Sequence, residues 1–572
     1  MNSRIREIWN MWKNRDLEDC DLVRELKEIE NDEEGIIDRF YKDLEFGTGG
    51  LRGIIGVGNN RMNIYTVAKV SQGYADYLSR TSTSQSIAIA YDSRINSEVF
   101  ARTAAEVFAA NGIKVYIYKE LMPTPALSFA IRYLGCSGGV VITASHNPSK
   151  YNGYKVYGAD GCQITTDVAK DILEYINRVD IFLDIKKRSF TDALIEGSIS
   201  FIEEEVIDKY IAAVSSESLS NVELNENVSI VYTPLNGAGR YCVTRVLREN
   251  GYKNIVIVKE QEFPDGSFPT CPYPNPEISD AMKLGIDYAI RTESELVLAT
   301  DPDCDRVGIA VKNGPDYKLL TGNETGMLLL DYICKQRNML GTMPNHPVAF
   351  KSIVTIDMAI KIAEYYGVEM QEVLTGFKFI GEQIGYLEEK GEKERFIFGF
   401  EESYGYLSGT YVRDKDGVNA SLLICEMFAY YKEQGKTLLE VLNSLYAQFG
   451  YCLNSQRCYQ FEGVEGLKKM NMIMQSLREE RLAEIAGRRV LAVKDYKKSI
   501  IKYQDNTEEV IYLPKSNVLK FILEGNSSIV VRPSGTEPKM KAYFSVSAET
   551  QKKAEALRRQ MEEECDDFFM II

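Results

Sequence analysis

The chain alternates short β-branched runs with helical stretches, and each run gives way to a polar loop. Runs this short, flanked by glycine and polar clusters, read as strands buried on both faces of a parallel sheet. The first unit carries Ile87-Ala88-Ile89-Ala90-Tyr91 running into Asp92-Ser93-Arg94, a helix over 97–110, the strand Val115–Tyr118, a helix after Pro125 and the run Gly139-Val140-Val141-Ile142. The second opens at Val228–Tyr232 with the turn Thr233–Gly237, continues through Ile255–Val258, and culminates in Leu296–Ala299 and Val307–Val311. The third follows a Gly341–Pro347 linker, begins at Val348-Ala349-Phe350 and includes the strand Phe396–Phe400. From about 455 the rhythm changes to a charged helical stretch at 465–488, a less regular 503–512, the strand Ser528–Val531 and a Glu-rich closing helix. The expected fold is α/β with four domains, three similar mixed α/β units plus a C-terminal α+β domain. The expected boundaries are an N-terminal helical extension at 1–45, then domains at 46–212, 213–325, 326–454 and 455–572. Within the extension, Trp9, Trp12, Leu17, Leu22, Leu26 and Ile29 form an apolar stripe.

Bulk properties narrow the function. A formal net charge of -16 argues against nucleic acid and anionic membrane as partners. The 11 Cys have irregular spacing and no CxxC pair, which reads as reduced thiols and a cytoplasmic location. The N-terminus has no apolar signal core, and no stretch is apolar enough to span a bilayer. A small-molecule substrate is expected. If it is a phosphate, Arg and Lys must be gathered locally against the global field.

The strand-end loops carry the chemistry, because open α/β sheets place ligands there. Thr143-Ala144-Ser145-His146-Asn147-Pro148 sets a hydroxyl on a rigid edge, where a serine can carry a covalent group. Lys155 follows closely in Tyr151-Asn152-Gly153-Tyr154-Lys155. Thr300-Asp301-Pro302-Asp303-Cys304-Asp305-Arg306 packs three carboxylates into one loop between two apolar strands. They repel unless a cation neutralises them, and all-oxygen ligands select a hard ion, with Mg2+ the best fit. Phe46-Gly47-Thr48-Gly49-Gly50-Leu51-Arg52-Gly53 lets backbone amides approach an anion beside a guanidinium. Thr375-Gly376-Phe377-Lys378 follows a strand, and Glu401-Glu402-Ser403 ends another with groups suited to sugar hydroxyls. Arg413-Asp414-Lys415-Asp416-Gly417 places a basic pair in a turn, and Arg532-Pro533-Ser534-Gly535-Thr536 forms a phosphate cradle. Together these loops fit phosphoryl transfer to or from a phosphorylated sugar.

FGTGGLRG at 46–53, TASHNP at 143–148, DPDCDR at 301–306, TGFKFIG at 375–381, GFEES at 399–403, RDKDG at 413–417 and RPSGTEP at 532–538 cover nearly the whole chain. In these motifs and their order it resembles the α-D-phosphohexomutases, and among them the bacterial α-phosphoglucomutases. The resemblance implies four domains around a central cleft. It implies an enzyme that interconverts glucose 1-phosphate and glucose 6-phosphate through a phosphoserine and glucose 1,6-bisphosphate, the latter also an activator. It implies Ser145 as the phosphoserine, with Asp301, Asp303 and Asp305 holding Mg2+ together with its phosphate, and Arg306 contacting the phosphoserine. Arg52, Lys155, His146 and Lys415 are implied near the reacting hydroxyl, with Lys415 a candidate proton acceptor. Thr48, Thr375, Gly376, Glu401, Ser403, Arg413, Arg532, Ser534, Gly535 and Thr536 are implied in substrate binding. One departure stands out: Asn236 occupies a position where many relatives carry His. The resemblance leaves a monomer or homodimer equally open.

The same scaffold also suits a phosphomannomutase, a phosphopentomutase or a glucose 1,6-bisphosphate synthase. A sugar phosphatase losing its phosphoryl group to water, and a non-catalytic sugar-phosphate-binding regulator, are the rivals from other classes.

Overall fold

The computed structural model describes residues 2–571 apart from 48, 83–84, 221–226, 462, 481 and 534–538. It comprises two compact units: Met1–Leu320 with Ile380–Phe396 and Tyr404–Tyr430, and Thr321–Phe379 with Ile397–Ser403 and Tyr431–Ile572.

The first unit contains two sheets. One has seven strands in the order Phe46–Gly47, Gly50–Ile54, Tyr151–Gly158, Gly138–Ile142, Ser86–Tyr91, Lys114–Ile117 and Ile199–Phe201. The last four run parallel, and Tyr151–Gly158 returns antiparallel against Gly138–Ile142. Val140, Val141 and Ile142 are wholly buried, as β-branched residues in a covered central strand should be. The strand's glycines are required by space: a Cβ on Gly138 would lie 2.1 Å from the Tyr74 hydroxyl. The second sheet has five strands in the order Asp316–Leu320, Val307–Asn313, Leu296–Thr300, Ser229–Thr233 and Asn254–Ile257. Leu296–Thr300 lies parallel to Ser229–Thr233 and antiparallel to Val307–Asn313, so its C-terminal loop returns directly along its own edge.

The N-terminal extension forms three helices, Ser3–Lys13, Cys20–Glu28 and Glu33–Phe40. Asn2, Asp19 and Asp32 cap them by accepting from backbone N–H groups of the first turn. The six residues of the expected stripe are all buried, in one cluster with Ile36, Phe40, Val57 and Ile181.

In the second unit, Glu369–Val373 and Val348–Ser352 pair in parallel, and Phe396–Glu401 lies on the other side of Val348–Ser352. The helix Gly322–Leu340 begins with a capping box between Thr321 and Glu324. The C-terminal part is an antiparallel sheet running Tyr451–Gln460, Lys539–Ala548, Ser527–Pro533, Leu519–Leu523, Arg488–Asp495, Ile500–Tyr503 and Glu508–Val510. Its core joins Phe521, Ile529, Val531, Phe544 and Val546 to Met470, Ile473, Met474, Met561 and Phe569 of two helices. The charged stretch expected as one helix over 465–488 is helical only to Glu479, and a short strand at Glu484–Ile485 folds back on Arg488–Arg489. Ala486 and Gly487, both at positive φ, make that reversal. Among the described residues no helix is long and apolar enough to cross a membrane.

Candidate active site

The serine loop leaves the strand Gly138–Ile142 under tight backbone control. Thr143 donates its N–H to the Gly153 carbonyl at 3.1 Å, and its Oγ1 accepts the Ser145 N–H at 2.7 Å. Ser145 itself sits at φ 52, in the left-handed region. The loop is held there by Arg94. This buried guanidinium donates to the carbonyls of Ser145 and Asn147, to that of Pro148 at 3.0 Å and to that of Tyr151 at 3.1 Å. Asp92 lies 3.3 Å from its Nε, and the Phe268 ring lies 5.1 Å from the guanidinium carbon. Arg52 donates to Asn147 Oδ1 at 3.2 Å.

Ser145 Oγ donates to Asp301 Oδ2 at 2.8 Å and lies 3.1 Å from His146 Nδ1. Burial, and then the nearby cations Arg306 and Arg52, push the His146 pKa well below the usual imidazole range. His146 is therefore a neutral neighbour of the hydroxyl at physiological pH.

The loop after Leu296–Thr300 gathers the carboxylates. Asp301, Asp303 and Asp305 are at most 1% exposed, and each offers an oxygen within 4.8 Å of the others. Asp301 Oδ1 accepts the N–H groups of Asp305 at 3.1 Å and Arg306 at 3.0 Å, which closes the loop around it. Asp303 Oδ2 accepts from Lys155 Nζ at 2.8 Å and from Thr124 Oγ1 at 3.1 Å. Asp305 Oδ2 lies 2.8 Å from Lys415 Nζ and 3.3 Å from Lys155 Nζ. Arg306 pairs with Glu277 at 2.5 Å.

The protonation pattern follows from this geometry. Burial, reinforced by Asp303 and Asp305, pushes Asp301 well above the carboxylate range. Burial acts on Asp303 in the same sense, but the Lys155 ammonium outweighs it and holds that carboxyl low. At Asp305 burial and Asp303 are outweighed by Lys415, Lys155 and Arg306. Lys155 is raised, because its two carboxylate partners exceed its own burial cost.

The donor set fits a divalent hard cation. Asp303 Oδ1 and Asp305 Oδ1 are buried and accept no hydrogen bond among the described residues, which is costly for carboxylate oxygens with nothing to coordinate. With Asp301 beside them, they supply an all-oxygen set suited to Mg2+.

The RDKDG loop is fixed residue by residue. Asp414 accepts from the Tyr157 hydroxyl at 2.7 Å, and Asp416 accepts from Tyr210 at 3.0 Å and Tyr411 at 2.8 Å. Lys415 is thereby directed at Asp305. Arg413, expected to bind substrate, has a wholly buried side chain, pairs with Glu388 at 2.6 Å and donates to the Thr410 and Val412 carbonyls.

The second unit carries the remaining expected residues. Glu401 is 4% exposed and its Oε1 accepts the Gly376 N–H at 2.8 Å, joining two of the expected recognition loops. The adjacent Thr375 Oγ1 is buried without a hydrogen-bond partner among the described residues. Ser403 and Arg532 are half-buried. Tyr543 lies within electrostatic reach of Glu402, Arg532 and Glu401. Thr48, Ser534, Gly535 and Thr536 lie outside the described residues.

Sequence reasoning passed over Arg94, Thr124 and Phe268. Arg94 carried a usable signal, since Asp92-Ser93-Arg94 is another polar strand end of the kind that elsewhere bears the chemistry.

Comparison with known proteins agrees with this picture. The family description Phosphoglucomutase/phosphomannomutase, alpha/beta/alpha domain I, matches residues 43–181. Domain II of the same family matches 208–314, domain III 321–449 and the C-terminal domain 476–564. The phosphoglucomutase of Staphylococcus haemolyticus is 38% identical over 513 residues, 89% of this chain and 91% of that protein. That of Staphylococcus saprophyticus is 37% identical over 531 residues, 92% and 95% of the two chains. Among solved structures, Paramecium parafusin superposes with a TM-score of 0.67 at 19% identity, over 93% of this chain and 95% of that one. A phosphoglucomutase/phosphomannomutase family protein of Burkholderia thailandensis superposes with a TM-score of 0.66 at 17% identity, over 91% and 96%, which supports the shared fold. With three α/β/α domains, an antiparallel-sheet C-terminal domain and relatives at this identity along most of its length, the chain belongs to the phosphoglucomutase/phosphomannomutase family and is a phosphohexomutase isomerase.

Proposed function

We propose that this phosphohexomutase is a phosphoglucomutase that interconverts glucose 1-phosphate and glucose 6-phosphate through phosphorylated Ser145 and a glucose 1,6-bisphosphate intermediate. The observation that carries the reading is the 2.8 Å bond from the Ser145 hydroxyl to Asp301, inside a three-carboxylate cluster faced by two lysines. The phosphoglucomutase relatives, at 37–38% identity, favour glucose over the mannose and pentose alternatives.

Ser145 accepts and donates the phosphoryl group. The left-handed backbone at Ser145 and the Arg94 fork keep its Oγ aimed at Asp301, which limits the geometries it can sample. Asp301, Asp303 and Asp305, with a phosphate on Ser145, would hold Mg2+, which when bound would supply Lewis-acid stabilisation of the transferring phosphoryl group. Arg306 contacts the phosphoserine. Lys155 and Lys415 face the reacting hydroxyl, with Lys415 taking its proton, while Arg52 and the neutral His146 orient the group being transferred. Thr48, Thr375, Gly376, Glu401 and Ser403 bind the sugar, and Arg532, Ser534, Gly535 and Thr536 bind the phosphate that is not reacting. The enzyme acts on a small molecule in the cytoplasm.

The test is the catalytic efficiency of purified protein on glucose 1-phosphate, mannose 1-phosphate and ribose 1-phosphate, with Mg2+ and a trace of glucose 1,6-bisphosphate. A preference for glucose 1-phosphate of at least about tenfold, or about 1.4 kcal/mol in the transition state, is expected. A flat or inverted profile reassigns the substrate and leaves the phosphoserine chemistry. Release of inorganic phosphate equal to substrate loss makes the protein a phosphatase.

A further inference from the structure

The strand Ser229–Thr233 of the five-stranded sheet ends in a turn with a strained backbone. Leu235 and Asn236 are consecutive left-handed residues, at φ 47 and φ 57, and neither is glycine. Asparagine tolerates that region and leucine does not, so the turn persists only because its surroundings fix it. Leu235 is buried and donates its N–H to Thr233 Oγ1 at 3.1 Å. That hydroxyl in turn donates to Gln261 Oε1 at 2.6 Å. Backbone held in this way marks a place where position matters.

Asn236 is buried and binds one segment, residues 260–265. Its side-chain amide donates to the Phe263 carbonyl at 2.8 Å and to the Glu260 carbonyl at 3.3 Å. Its N–H donates to the Gln261 carbonyl at 2.9 Å, and its own carbonyl accepts the Asp265 N–H at 3.2 Å. Bonds this directional fix the segment in orientation as well as in place, which apolar packing alone would not do.

From Asn236 the structure leads to both halves of the active site. On one side Ala238 donates its N–H to the carbonyl of Pro302 at 2.8 Å, between Asp301 and Asp303. On the other side the clamped segment continues to Gly266 and Phe268. A Cβ on Gly266 would lie 2.4 Å from the Ile95 nitrogen and 2.7 Å from the Ser93 carbonyl oxygen, so the chain there lies flat against the Arg94 backbone. Phe268, itself at φ 48, sets its ring 5.1 Å from the Arg94 guanidinium, which holds the Ser145 loop. Ser145 and Arg94 belong to the stretch matched by family domain I, and Asn236, Phe268 and Asp301 to that matched by domain II. The bond between Ser145 and Asp301 therefore depends on how these two stretches dock, and Gly266 and Phe268 are part of that docking.

We propose that Asn236 is a positioning residue for phosphoryl transfer. Its side chain clamps residues 260–265 to the turn that carries the aspartate loop. Gly266 and Phe268 then seat Arg94, and Arg94 holds the Ser145 hydroxyl at bonding distance from Asp301. The seating of the serine loop is a statement about the fold alone; its consequence for turnover rests on the proposed function.

The test variant is Asn236→Gly in the full-length protein, because glycine accepts the positive φ and only the side-chain bonds are lost. Seating is read without substrate, by amide hydrogen exchange followed by mass spectrometry. Peptides covering residues 143–151 are expected to exchange at least about tenfold faster in the variant, with the strands Ser86–Tyr91 and Ser229–Thr233 unchanged. Unchanged exchange over 143–151, or faster exchange spread evenly over those strands as well, overturns the proposal. Kinetics then tests the consequence. On glucose 1-phosphate, kcat is expected to fall about tenfold with KM within about a factor of two. In a Phe268→Ala background the same substitution should cost less than about threefold more, because both changes act through Arg94. Losses that multiply in the double variant, a change confined to KM, or no change overturns the positioning role. If Asn236→Gly does not fold, Asn236→Asp, which keeps the size and the tolerance of left-handed backbone but removes the donors, takes its place under the same criteria. If the parent proves inactive on hexose phosphates, the functional reading fails while the exchange measurement still decides whether Asn236 seats the serine loop.

Discussion

Ser145 Oγ and Asp301 Oδ2 are joined by a 2.8 Å hydrogen bond across 156 residues of sequence, with both side chains buried. The serine hydroxyl and the carboxylate cluster thus meet directly. Replacing Ser145 with Ala removes the phosphoryl acceptor and one hydrogen bond. Turnover should fall at least about a thousandfold while stability changes by only about 1 kcal/mol. Intact-mass analysis after incubation with glucose 1,6-bisphosphate should show a phosphoryl adduct in the parent and none in Ser145→Ala. Mutase turnover near the parent rate in that variant would falsify the phosphoserine assignment.

Arg94 is the keystone of the same loop, since one guanidinium serves four carbonyls between Ser145 and Tyr151. A lysine retains the charge but not the planar fork. Arg94→Lys should therefore leave a folded protein whose kcat is lower by about a hundredfold, because a small misplacement of the nucleophile is enough. Phe268→Ala, which strips the ring from the guanidinium, should act in the same direction more weakly. Steady-state kinetics on both variants checks this, and a change confined to KM would count against a role in aiming Ser145.

Thr124 contacts Asp303 twice, through its hydroxyl to Oδ2 at 3.1 Å and its N–H to the backbone carbonyl at 2.9 Å. Thr124→Val keeps the size and the N–H but removes the hydroxyl donor. Affinity for Mg2+ should weaken by about 10- to 100-fold, the usual cost of losing a group that orients a ligand. Calorimetric titration of the chelator-stripped protein with MgCl2 gives the value directly. Stripping should also abolish turnover in the parent, and restored Mg2+ should recover it.

The residues legible in the sequence share one property: their meaning is local. Ser145, the aspartate loop and the Glu401 loop each end a short apolar run, and the fold does place them at strand ends. Arg94 and Thr124 depend on partners 51 and 179 residues away, which no local pattern encodes. Arg413 shows the same dependence on distant sequence: beside Lys415 in a polar turn it reads as a ligand contact, and the fold also brings Glu388 to its buried guanidinium. The charged stretch at 465–488 misled for another reason, because its helical composition outlasts the helix, which gives way to the reversal at Ala486-Gly487.

Glu426 offers a pH test independent of the reaction. Its carboxyl is buried in the helix Gly417–Glu433, where it accepts only the Ser218 hydroxyl and, at 3.0 Å, the Leu219 N–H among the described contacts. Burial raises its pKa to about 7, and the two donors only partly oppose this. The folded state therefore holds a proton that the unfolded chain releases near the ordinary value of 4.5. Between these values the folded state binds more protons than the unfolded one, so stability is greatest below the lower value and declines as pH rises through the upper one. The full excursion is about 3 kcal/mol. Glu426→Gln keeps the hydrogen-bonding shape without the charge. In urea unfolding at pH 5 and pH 8, the variant should therefore lose most of this decline and be more stable than the parent at pH 8. An unchanged difference between the two pH values would mean that Glu426 ionises in place, with Ser218 and Leu219 sufficing for its charge.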